Sequence, residues 1–243
     1  MITPVKQVNI PRTLILTHLR QAEPHNLRSC TKLWNLTDRA FGAEGPFAKR
    51  LSLTEEGSDL PAGVKLGPWD NKVFSWTGAI DDVTPLPKYQ KMNLPPPDFV
   101  SAYDLGFAQP GEQSFILGGG NLDFCIWETF QSLVKVKLEQ GESFQAIIPL
   151  AMVYWSDRLG NPFKYIEQPN RYTNFLEQTH AAGKLSSSQV FIDEQLVFSR
   201  SGSGPTIELH WFTALKGMFA SPFFPETSEP ASLNRMISYF AQR

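Results

Sequence analysis

One cysteine stands where a nucleophile is commonly held. In "SFILGGGNLDFCIWETF", Cys125 follows the run Gly118, Gly119, Gly120 by a few residues. If "SFIL" is a strand, "GGGN" a turn and Asp123 the N-cap of a helix, the thiol falls in the first helical turn. There the unpaired N–H groups and the dipole depress a thiol pKa and bind an oxyanion. The competing role for such a residue is that of a small buried hydrophobe. The glycines do not make a phosphate cradle. Gly118 and Gly120 give GxG, but Asp123 occupies the place of the third glycine, and a carboxylate there repels a pyrophosphate. No Lys-Ser or Lys-Thr pair follows, so the Walker pattern fails as well.

The strand, the glycine-containing turn and the cysteine at a helix start together resemble the isochorismatase-like cysteine hydrolases. The resemblance covers only the stretch around the glycines and Cys125. It implies a small amide or ester hydrolase with Cys125 as nucleophile. It also implies a lysine ahead of the cysteine segment, a role that Lys91 or Lys88 fills by position, and an aspartate from an early strand. The early apolar segment "TLILTHLRQAE" has no aspartate to offer, which is a departure from the pattern.

The other polar groups carry less chemistry. His18, His25, His180 and His210 show neither HxH nor HExxH spacing, and Cys30 and Cys125 form no CxxC, so no metal site is expected. The carboxylate pairs Glu55-Glu56, Asp81-Asp82 and Asp193-Glu194 are adjacent in sequence. Neighbours on a strand point to opposite faces, and in turns such pairs are solvated. Lys32, Arg39, Lys49 and Arg50 concentrate positive charge in one segment, a candidate contact for a partner or a nucleic acid. A net charge of −2 rules out a nucleic-acid footprint spread over the whole chain.

Several elements must hold these groups. "RTLILTHLR" reads as a first strand after Pro11. A helix around "CTKLWNLTDRAF" would bury Trp34 and Phe41 on one face and stop near Gly42 and Gly45-Pro46. From about 55 to 110, prolines and glycines interrupt short apolar pieces, which predicts irregular ordered loops with one or two short strands. After Asp123 two readings compete. "FCIWETFQSLVKVKLEQ" is a helix with Trp127, Phe130 and Val134 on one face, or "LVKVKLEQ" is a strand turned at "EQGES" into "FQAIIPLAMVYW". The alternation of Val134, Val136 and Leu138 with Lys135, Lys137 and Glu139 favours the hairpin. "NRYTNFLEQTHAAGKL" is a helix ended by Gly183, and "QVFIDEQLVFSR" and "TIELHWFTAL" read as an antiparallel hairpin turned at "SGSG". "SLNRMISYFAQR" has the spacing of a terminal helix.

At 243 residues and 42% hydrophobic, the chain is expected to bury one core as a single globular domain over 1–243. The apolar runs are shorter than the ~20 residues that cross a bilayer. No signal-peptide pattern opens the sequence, so an intracellular (cytoplasmic) protein without membrane contact, or part of a particle assembled there, is expected. Together these features predict an α+β fold, a mainly antiparallel sheet with a few helices and long ordered loops. The alternative is a three-layer α/β fold with the Cys125 segment at a strand-to-helix turn. The aromatic-rich loops and the incomplete catalytic set favour a non-catalytic binding or assembly subunit without a cofactor. Its expected partners are other protein subunits, with nucleic acid through the Lys32 to Arg50 segment as a further candidate. The cysteine hydrolase is the alternative function.

Overall fold

β1 (Arg12–Thr17) runs through the middle of an eight-stranded sheet. The computed structural model describes residues 12–17, 47–54, 70–74, 108–119, 126–149 and 170–212. In chain order the remaining elements are β2 (Phe47–Thr54), β3 (Asp70–Phe74), β4 (Ser114–Gly118), α1 (Trp127–Gln140), β5 (Phe144–Pro149), α2 (Asn170–Ala181), β6 (Ser187–Ile192), β7 (Gln195–Arg200) and β8 (Thr206–Phe212). The strand order is β3-β2-β1-β4-β5-β8-β6-β7, and among the described residues every pairing is parallel except β6 with β7.

This overturns the expectation of a mainly antiparallel α+β fold; the molecule is α/β in character. Two local features mislead the sequence reading. The first is "LVKVKLEQ", whose clean alternation looks like a strand but which forms the last part of α1. Alternation predicts a solvent-facing Lys137, whereas Lys137 is fully buried. Its ammonium donates to the Gln109 carbonyl (2.9 Å) and to Glu142 Oε2 (2.7 Å), so the helix buries a lysine at an apolar-looking position. "EQGES" is then a helix terminus and not a hairpin turn. Gly141 adopts φ 69°, with its N–H bonded to the Leu138 carbonyl and the Glu142 N–H to the Lys137 carbonyl, the Schellman arrangement.

The second feature is the C-terminal pair of apolar runs. The antiparallel hairpin lies inside "QVFIDEQLVFSR" and turns at Asp193 and Glu194, which take φ 45° and 72°. A two-residue hairpin turn of this hand suits Asn or Gly best, so two acidic residues hide it from inspection. The "SGSG" segment instead carries the chain past β6 to its other side, where β8 pairs with β6 and β5, both in parallel.

Parallel strands buried on both faces read as apolar runs rather than alternating ones, as "TLIL" and "SFIL" do. On one face Ile15, Leu51, Phe115, Leu117, Ala146, Ile148, Leu209 and Trp211 meet α1 and α2 in one core. On the other, Leu14, Leu16, Ile116 and Ile147 are also buried. α2 ends at Ala181 and Gly183 (φ 71°) closes it as the sequence predicts, with the Gly183 N–H on the His180 carbonyl. The expected helices over 30–41 and 232–243 lie outside the described residues.

Candidate functional site

The sheet order sets where a ligand can enter. From β1 the chain moves one way to β2 and β3, then returns to the opposite side of β1 for β4 and continues to β5. Crossovers therefore leave β1 and β4 in opposite directions. In open parallel sheets that divergence opens a crevice beyond the carboxyl ends of the two strands, where ligands bind. Here those ends are Thr17 and Gly118, with Leu16 in register with Gly118. The segment leaving β4 at this point is the glycine run. Gly119 has φ 85°, a backbone conformation that a β-carbon disfavours, so the chain leaves the strand end by a turn only glycine takes readily.

α1 starts at Trp127 with Ile126 at the N-cap and no side chain capping it, which corrects the expectation of an Asp123 N-cap with Cys125 in the first turn: both residues precede the N-cap in sequence. Several ring contacts fix this first turn. The Trp127 ring packs edge-on to Tyr172 (4.8 Å) and Phe175 (5.2 Å) of α2, and Tyr172 in turn packs on Trp211 of β8 (5.2 Å). Phe130 adds contacts to Tyr172 (5.2 Å) and Phe175 (6.2 Å), and the Arg171 guanidinium lies 4.7 Å over the Trp127 ring. Each such pair adds roughly 0.5–1.5 kcal/mol beyond the area it buries. The start of α1 is thus packed through α2 onto β8.

Cys125 directly precedes Ile126 in sequence and, with Lys91, Lys88 and Asp123, lies outside the described residues. So do Lys32 and Arg39. The two described basic residues of that segment are engaged within the fold. Arg50 is wholly buried in β2, and Lys49 donates to Glu112 Oε1 at 2.9 Å. Glu128 is a residue the sequence reading passed over. It is a buried carboxylate in the first turn of α1, three residues after Cys125, where the helix dipole favours a negative charge. Its only signal in the sequence is its place in "CIWETF".

The described histidines are held by structural partners. Gln145 Nε2 lies 2.9 Å from His210 Nε2, and Glu208 Oε2 lies 3.2 Å from the same nitrogen. The His210 ring stacks on Phe191 at 4.5 Å. His180 Nε2 meets Ser188 Oγ at 2.8 Å, and burial pushes its pKa below the ordinary 6.5.

At the opposite, amino end of the strands a polar network pins residues 108–113 to the end of α1. Glu142 accepts from the Gly111 N–H as well as from Lys137, and its carboxyl is held below the ordinary value of 4.5, chiefly by the Lys137 hydrogen bond. Gln140 Nε2 donates to the Ala108 carbonyl. This network is structural and lies away from the crevice.

Among the described residues no group of three or more His, Cys, Asp or Glu side chains is placed to hold a metal ion, and no helix is long and apolar enough to cross a membrane. Comparison with protein families, with characterised proteins and with solved structures gave no match.

Proposed function

We propose that the chain is a cysteine-dependent hydrolase of small amides or esters, with Cys125 as nucleophile at the carboxyl edge of the sheet. The observation that supports this most is topological. The one glycine run and the cysteine after it follow β4 at the reversal of strand order, and they feed a helix start that is anchored by aromatic packing. β4 ends at Gly118 and α1 begins at Trp127, so Cys125 falls in sequence between a strand and a helix, which supports the nucleophile reading.

The chemistry is as follows. The Cys125 thiolate adds to the substrate carbonyl carbon, and the oxyanion formed is stabilised by N–H groups at the start of α1. The oxyanion then collapses, the C–N or C–O bond breaks, and the amine or alcohol departs with the proton the thiol gave up on ionising, leaving an acyl-thioester that water hydrolyses to the acid and the free thiol. Lys91 supplies positive charge toward the thiolate. Glu128 supplies a buried carboxylate close in sequence in a chain whose first strand lacks an aspartate.

The test is hydrolysis of a panel of small amides and esters by the wild-type chain and by Cys125→Ser and Cys125→Ala. Loss of turnover in both variants, with unchanged far-UV circular dichroism, is the expected result. Full activity in Cys125→Ser rules the nucleophile out. The second reading, a binding or assembly subunit, draws support from Leu196 and Val197, the exposed large apolar side chains of the described residues.

A further inference from the structure

We propose that the β7 edge is the interface through which two copies of this chain form a symmetric dimer. Among the described residues β7 ends the sheet, pairing only with β6. Sheet edges in monomers are commonly blunted by charge or proline along the strand, because the open row of N–H and C=O groups recruits other strands. Gln195 to Ser199 of β7 contain neither.

The register of β6 and β7 explains the apolar surface. Phe191 pairs with Leu196 and Val190 with Phe198, so Val197 is an extra residue, a bulge in β7. A regular strand sends neighbours to opposite faces; the bulge lets both Leu196 and Val197 stay open, at 53% and 50% exposure. A bulge can also serve to turn an edge away from partners. Here it instead places two adjacent apolar side chains outward on the last strand.

The charge pattern selects a second copy as the occupant. Glu194 precedes β7 and Arg200 closes it, and both are exposed. An antiparallel, two-fold arrangement centred on Val197 puts Glu194 of each copy opposite Arg200 of the other, and Leu196 opposite Phe198. A two-fold interface requires such self-complementarity, since each residue meets its counterpart's partner. A parallel arrangement would place like charges together.

The inference does not depend on the hydrolase reading, because its test measures association and not turnover. Sedimentation velocity on the full chain, over a wide range of protein concentration, is expected to show a concentration-dependent dimer. Leu196→Lys combined with Val197→Lys is expected to give monomer with unchanged circular dichroism, since both positions are open. Glu194→Arg alone and Arg200→Glu alone should each weaken the dimer about tenfold, and the two together should restore it. Monomer at every concentration overturns the proposal, including the case in which a different protein occupies this edge. So does a dimer that survives the lysine pair, or a double charge reversal that fails to restore association.

Discussion

Replacing Phe130 by Ala should remove a large part of the molecule's stability, and the reason lies in how α1 is seated. Phe130 is fully buried, and its ring lies 5.2 Å from Tyr172, 6.2 Å from Phe175 and 6.4 Å from Trp127. Deleting a buried phenyl ring costs about 3–5 kcal/mol through lost transfer energy and the cavity left behind. Against a typical total of about 5–15 kcal/mol, that is roughly a fifth of the whole at the least. Urea unfolding followed by tryptophan fluorescence measures it directly, since Trp127 and Trp211 lie in or beside the same cluster. Lys135→Ala, at a half-buried position on the same helix, serves as control and should shift stability by less than about 0.5 kcal/mol. A double-mutant cycle with Tyr172→Leu should return a coupling of about 0.5–1.5 kcal/mol. A cost for Phe130→Ala under about 1 kcal/mol, or no coupling to Tyr172, would refute the packing of α1 on α2 and with it the anchoring of the helix start.

Two further perturbations test other parts of the structure. Lys137→Met leaves the Gln109 carbonyl without its donor, so it should destabilise by about 1–3 kcal/mol in urea unfolding, whereas a solvent-facing lysine would be neutral. In the same variant the Glu142 carboxyl, relieved of the main cause of its low pKa, should titrate closer to 4.5 by NMR. His180 has its folded pKa lowered, mainly by burial, so the unfolded chain binds the proton more readily. Its contribution is fully present above the unfolded value of 6.5 and is lost as pH falls through that value toward the lower folded one. The urea midpoint should therefore drop from about pH 7.5 to about pH 5.5 more steeply in wild type than in His180→Gln; equal slopes would contradict this.

The sequence made individual elements legible and their connections much less so. "RTLILT" and the helix before Gly183 stand out because their signals are local: a buried apolar run after Pro11, and an amphipathic stretch with a glycine stop. α1 was obscured by Lys137, since a buried lysine paired to Glu142 turns a helical pattern into an apparent alternation. The β6 and β7 turn was obscured because Asp193 and Glu194 hold positive φ without glycine. β8 lies between β5 and β6, and such a placement depends on long-range pairing that no window of residues encodes. The α/β alternative contained the β4, α1, β5 unit, and the strand order that reverses between β1 and β4 emerges only from the assembled sheet. Arg50 shows the same limit for sites: a basic residue in a charged segment looks like a surface contact until a strand pairing buries it.

The most direct test of the account is the reactivity of Cys125 in the folded protein. In a Cys30→Ser background, the rate of alkylation by iodoacetamide is measured against pH. A thiol at the anchored start of α1 should titrate below the ordinary value of about 8.5 and react readily at neutral pH. A Cys125 that stays unreactive until urea unfolds the chain, or that titrates above that value, contradicts the claim that this edge of the sheet holds a nucleophile.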